Sequence, residues 1–106
     1  METTAVVINR EEAIEVIKNN EQFKKAISGL SNSAYNYSIF GARKNKKIVE
    51  SIDYSNNEIK IHLNRKEWDY HYKAIKRLLD DIISDNGLED YVDIYMNKED
   101  CWIKVM

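Results

Sequence analysis

Two histidines, one cysteine and a crowded set of carboxylates are the residues of this 106-residue chain that could do chemistry. His62 and His71 have no partner at H-x-x-x-H or H-E-x-x-H spacing, the arrangements that hold a catalytic metal. His62 reads as a solvated residue on the outward side of a strand. His71 reads as a boundary histidine packing its ring beside Trp68 and Ile75. Cys101 is the one cysteine, which excludes an intramolecular disulfide and any cysteine-based zinc site. It falls on the inward side of a terminal strand, where cysteine acts as a small hydrophobe. Asp80, Asp81, Asp85, Glu89, Asp90 and Asp93 lie close in sequence. Asp80 and Asp81 nevertheless point about 100° apart on a helix, and no D-x-[DN]-x-[DN]-G loop gathers them round a cation. Gly29, Gly41 and Gly87 make no phosphate-binding loop. The expectation is a protein that is not an enzyme, carries no metal or cofactor, and acts by binding.

Charge says where it would bind. Residues 1–79 carry 14 basic and 10 acidic side chains, a balance of +4; residues 80–106 carry 2 and 8, a balance of −6. A helix C-terminus prefers cations, yet Asp80, Asp81 and Asp85 occupy the last two turns of the second expected helix. A local rule broken without visible compensation points to function, and a basic partner would supply the compensation. The expected contacts are Asp85, Glu89, Asp90, Asp93, Glu99 and Asp100, with Tyr91 and Tyr95 as anchors, since tyrosine is favoured at interfaces. On this expectation the acidic surface from Asp80 to Asp100 would mimic nucleic-acid phosphate and engage a basic channel. The alternative is a nucleic-acid-binding module using Arg43, Lys44, Lys46 and Lys47 in a hairpin loop and Lys66, Tyr70, Lys73 and Arg77 on one helix stripe. Cations with an interleaved aromatic suit phosphates and stacked bases.

The elements that must position these residues follow from periodicity. Residues 4–8 read as a short buried strand. Asn9 caps a helix, with Glu12 completing a capping-box pattern. Ala13, Val16, Ile17, Phe23 and Ile27 share its apolar face, and Asn19-Asn20 kinks or splits it. Gly29 ends it, with Leu30 folding back. Alternation returns over 34–42 and 48–54, the latter with Ile48, Ile52 and Tyr54 on one side. A tight turn at Ser55-Asn56-Asn57 leads into 58–63, with Ile59, Ile61 and Leu63 inward and Glu58, Lys60 and His62 outward. Asn64 caps the second helix, with Glu67 at capping-box spacing. Trp68, Tyr72, Ile75, Leu79 and Ile82 form its core stripe, and Asp69 pairs with Lys73. Asn86-Gly87 ends it, with Leu88 closing the cap. A hairpin follows: strand 90–96, turn 97–100, strand 101–106. The expected fold is α+β, two amphipathic helices packed on a largely antiparallel sheet in the order β-α-β-β-β-α-β-β.

The stretch 10–85 reads α-β-β-β-α, an order that resembles the double-stranded-RNA-binding domain. The resemblance implies RNA contact by the first helix, the loop at 43–47 and the Arg65-Lys66 helix start. The family's proline-and-histidine loop and Lys-Lys-x-Ala-Lys helix start are absent from this sequence, and Glu11, Glu12 and Glu15 make the first helix acidic.

The length, 43% hydrophobic and 32% charged composition fit one soluble domain over residues 1–106 with its own core. No apolar run reaches the ~20 residues a membrane span needs, and no signal peptide opens the chain. A single thiol fits the cytoplasm. Lysine outnumbers arginine 12 to 4, with 11 Asn, 14 Ile and 7 Tyr. This usage is that of an AT-rich genome, a low-GC bacterium or one of its phages. The functional expectation is a phage or mobile-element protein of anti-defence or toxin-neutralising type, which occludes a host protein or a protein–nucleic acid complex. The strand at 101–106 is apolar on both faces, so at a sheet edge it would pair two copies in a homodimer, and at the centre it would be core.

Overall fold

The computed structural model describes residues 9–31, 48–55 and 57–106. The expected strands at 4–8 and 34–42, the loop bearing Arg43, Lys44, Lys46 and Lys47, and Asn56 lie outside the described residues.

Asn9 opens the first helix. Its backbone is extended and its side-chain oxygen accepts from the Glu12 N–H at 2.9 Å. Helix α1, Arg10–Lys18, buries Ala13, Ile14 and Ile17. The two asparagines that follow split the expected single helix. Asn19 closes α1 by donating from its amide to the Glu15 carbonyl at 3.0 Å. Asn20 then opens α2, Glu21–Ser31, by accepting from the Phe23 N–H at 2.9 Å. Gly29 does not end this helix, as its position suggested. The chain stays helical through Ser31, because the Ile48 N–H reaches back to satisfy the Leu30 carbonyl at 3.0 Å.

Strand β1, Val49–Tyr54, pairs antiparallel with β2, Ile59–Leu63. The register slips between Val49 and Ser51. That irregularity puts Val49, opposite Leu63, on the same face as Ile52, opposite Ile61, where strict alternation would put them on opposite faces; Ile48, just before the strand, is buried as well. In β2 the alternation holds, with Ile59, Ile61 and Leu63 buried.

Asn64 caps the next segment by accepting from the Lys66 N–H at 2.8 Å. A 3-10 turn, Arg65–Glu67, feeds α3, Trp68–Asp85. Trp68, Ile75, Leu79 and Ile82 are buried and Tyr72 is half-buried against them, which is the stripe their spacing predicts. The expected Asp69–Lys73 pair does not form. The Asp69 carboxylate sits 3.9 Å from Lys98, and the Lys73 ammonium lies 6.0 Å from the Tyr72 ring. The helix ends in a Schellman motif. Gly87 has φ +67°, its N–H donates to the Ser84 carbonyl, and the Leu88 N–H donates to Ile83 at 2.9 Å. The Leu88 side chain is fully buried.

Residues 88–93 turn instead of beginning a strand. The N–H groups of Tyr91 and Val92 both donate to the Leu88 carbonyl, and buried Leu88 and Val92 hold the turn down. β3 is therefore shorter than expected, Ile94–Asn97, and pairs with β4, Trp102–Val105. The sheet order is β1-β2-β4-β3, antiparallel throughout. β4 thus lies between β2 and β3, and Ile103 and Val105 are core. The edge pairing of two copies through this strand is excluded, because both of its edges are already bonded.

The fold is α+β. Buried side chains of the three described helices meet those of the sheet in one cluster, so the helices cover the sheet face carrying Ile59, Ile61, Ile103 and Val105. Two departures separate it from the α-β-β-β-α order: the first helix is two helices, and β4 occupies the edge of β2. No described helix is long and apolar enough to cross a membrane.

The end of β1 touches the end of α1, where the Lys18 ammonium lies 5.3 Å from the Tyr54 ring centre. Tyr54 is 46% exposed, and the partial desolvation of its ring against the neighbouring chain pushes its hydroxyl above its ordinary 10.0. The folded state thus holds that proton more tightly than the unfolded state. Its contribution to stability is present below pH 10 and is lost as pH rises through the folded-state value. Absorbance titration at 295 nm should show a late-ionising tyrosine that Tyr54→Phe removes.

Candidate functional site

The C-terminal end of α3 and the turn behind it gather charge of one sign. Asp81, Asp85, Glu89, Asp90 and Asp93 are all exposed. Asp80 is neutralised by Lys76 at 2.8 Å, one turn earlier. Among the described residues, the carboxylates of the other five have no ion-pair partner. They ride on a braced frame. Leu88 and Val92 plug the turn into the core, and Asp93 exchanges two backbone hydrogen bonds with Met106, at 2.9 and 3.1 Å. A surface held this way loses little freedom when it binds.

The eight expected contact residues divide. Asp85, Glu89, Asp90 and Asp93 belong to this acidic end, and Tyr91 is half-buried beneath it against the core. Glu99 and Asp100 lie at the opposite end of β3, in the hairpin turn beside the start of α3. There the Arg65 guanidinium donates to the Glu99 carbonyl at 2.7 Å, and Lys98 faces Asp69. Tyr95 is exposed on the outer face of the sheet, opposite Lys104. Of the alternative set, Lys66 is exposed in the 3-10 turn, and Tyr70, Lys73 and Arg77 are exposed on α3, with Tyr70 79% exposed.

The histidines lie apart. His62 is on the outer sheet face with Nε2 3.6 Å from Asp53, and His71 is on α3 with Nε2 3.4 Å from Glu67. Among the described residues, no three His, Cys, Asp or Glu side chains converge as a metal site would require. Cys101 is buried, but it is not on a strand as expected. It closes the β3–β4 turn at φ 60°, with its thiol donating to the Lys98 carbonyl at 3.4 Å.

The outer sheet face carries a cluster that single-strand alternation foreshadowed only in part. The Lys60 and Lys104 ammoniums lie 5.1 and 4.8 Å from the Trp102 ring centre. Register makes the cluster, since Lys60 faces Lys104 and His62 faces Trp102. It is balanced within itself: Glu58 lies 3.9 Å from Lys104, and Asp53 partners His62. The acidic end has no such balance.

That imbalance is testable in stability. Asp85 is the last residue of α3 and faces the negative end of the helix dipole, so Asp85→Asn should stabilise the fold by about 0.3–1 kcal/mol. Urea denaturation would measure it, and the gain should shrink in high salt. No protein-family model matches the chain, and no curated protein or solved structure matches it.

Proposed function

We propose that this chain is a small, non-catalytic binding protein that occludes a basic surface of a host macromolecule with the acidic end of α3. The observation that carries the reading is the braced set of Asp81, Asp85, Glu89, Asp90 and Asp93, exposed and without ion-pair partners among the described residues. Carboxylates at a helix C-terminus weaken the helix, and a partner's lysines and arginines would reverse that penalty on binding. Complementary charge of this density raises association rate and selects against acidic partners. A partner that grips nucleic acid or another polyanion has the required basic channel. The residue usage of an AT-rich genome supports a phage or mobile-element source, and with it an anti-defence or toxin-neutralising role in the cytoplasm.

The test is affinity capture from nuclease-treated lysate of a low-GC bacterium, run in parallel with the wild type and Asp85→Lys/Glu89→Lys/Asp90→Lys. The three positions are exposed, so circular dichroism should be unchanged. One host protein should be retained by the wild type, released by salt and lost with the variant. Equal retention by both proteins would end the proposal.

A further inference from the structure

β3 is an edge of the sheet, and the ladder on its other side fixes where its backbone groups point. Asp93 and Met106 exchange two N–H···O bonds, so they form a hydrogen-bonded pair. Antiparallel pairs alternate in type along the ladder. Tyr95 and Asn97 therefore bond to Lys104 and Trp102, while the N–H and C=O groups of Ile94 and Met96 point away from β4. Among the described residues, no strand meets that side.

The edge is also apolar. Met96 lies on the helix-covered face, opposite Ile103, yet is 41% exposed, so the helices stop short of it. Tyr95, on the outer face, is 45% exposed. Adjacent residues of one edge strand thus supply two of the four large hydrophobic side chains exposed among the described residues. Edge strands are ordinarily guarded against pairing by charge, proline or a bulge. Ile94–Asn97 carries neither charge nor proline and pairs with β4 without a slip in register.

We infer that β3 pairs antiparallel with β3 of a second copy, joining two sheets into one across a two-fold axis at Tyr95. The strand is complementary to itself in this register. Ile94 faces Met96 of the second copy, Met96 faces its Ile94, and each pair exchanges two backbone hydrogen bonds. Centring on Ile94 or on Met96 instead would pair Met96 with Val92, or Ile94 with Lys98. Those partners are already engaged: the Val92 N–H donates to Leu88, and the Lys98 carbonyl accepts from Cys101. On the outer face the two Tyr95 side chains meet in a non-hydrogen-bonded pair, the closer kind. Asp93 falls opposite Asn97, so no like charges oppose. The antiparallel direction carries the acidic end of each copy to the β3–β4 turn of the other, where Arg65 and Lys98 balance Glu99 and Asp100. A foreign peptide would find no charge along this strand to select it. Four residues make a small interface, so the dimer dissociates on dilution. The inference does not rest on the proposed function and needs no host macromolecule.

Sedimentation velocity over a range of concentrations tests this on the full chain. The wild type should pass from one chain to two as concentration rises. Met96→Lys puts a cation opposite Ile94 and should weaken association at least about tenfold. The position is exposed, so circular dichroism should be unchanged. Tyr95→Cys places two thiols on the axis, at the roughly 4.5 Å Cα separation of a non-hydrogen-bonded pair, within reach of a disulfide. Diamide should cross-link Tyr95→Cys into a dimer and leave Tyr70→Cys, on α3 and more exposed, as single chains. A wild type that stays a single chain up to its solubility limit would overturn the inference. So would association unchanged by Met96→Lys, or cross-linking no better for Tyr95→Cys than for Tyr70→Cys.

Discussion

Leu88→Ala should lower the free energy of unfolding by about 3 kcal/mol, a loss in the range for emptying a fully buried leucine site. Leu88 has no exposed surface, and its backbone is held on both sides. Its N–H donates to Ile83 and its carbonyl accepts from Tyr91 and Val92. The side chain therefore plugs the core at the point where the helix turns over into the loop. Removing it leaves a void that this bonded backbone cannot collapse to fill. Gly87→Ala provides the comparison. No atom lies within 4 Å of an added Cβ, so its cost is only the left-handed backbone at φ +67°, about 1 kcal/mol. Chemical denaturation should rank the two variants in that order. The same loop carries Glu89, Asp90 and Asp93, so Leu88→Ala should also raise hydrogen exchange across 88–93 and weaken partner capture. A loss below about 1 kcal/mol would mean that the loop is not anchored as described.

Trp68→Ala should cost about 4 kcal/mol, within the range for large aromatic truncations. Trp68 is 4% exposed and stacks on Tyr72, with ring centres 5.2 Å apart and planes 3° from parallel. It stands where α3 begins, beside Arg65, Lys98, Glu99 and Cys101. Its ring thus joins the helix start to the β3–β4 turn, as Leu88 joins the helix end to the loop before β3. Thermal unfolding should fall by on the order of 10 °C or more. Trp68→Phe keeps an aromatic in the site and should recover more than half of the loss. Near-ultraviolet circular dichroism would report the lost stack separately. A small effect of Trp68→Ala would mean that the turn is held by the Arg65–Glu99 and Lys98–Asp69 contacts alone.

Local chemistry was legible in the sequence wherever a feature depends on residues within a turn of one another. Asn9, Asn64 and Gly87 sit at helix ends because caps and Schellman corners are built from neighbouring backbone groups. The core stripe of α3 and the alternation of β2 follow from period alone. The unfavourable acids at the end of α3 were visible for the same reason. What sequence could not decide depends on partners distant along the chain. Gly29 looked like a stop, but Ile48 satisfies the helix end from outside and carries the helix past it. Residues 90–93 looked like strand, but burial of Leu88 and Val92 turns them away from the sheet. An apolar C-terminal strand fits an edge or a centre equally well until β2 and β3 take both of its sides.

The candidate surfaces divide along the same line. The acids of 81–93 stay together because one helix end and one turn hold them. Glu99 and Asp100, only a few residues further on, are carried to the far end of the sheet by β3 and fall beside Arg65. The basic stripe of α3 is a property of helical spacing and is present whatever packs against it. Only tertiary structure places α2 alongside α3, and only their small facing residues leave a groove between them. Spacing determines which residues share a face; packing determines which faces meet, because burial free energy depends on area brought together from distant parts of the chain.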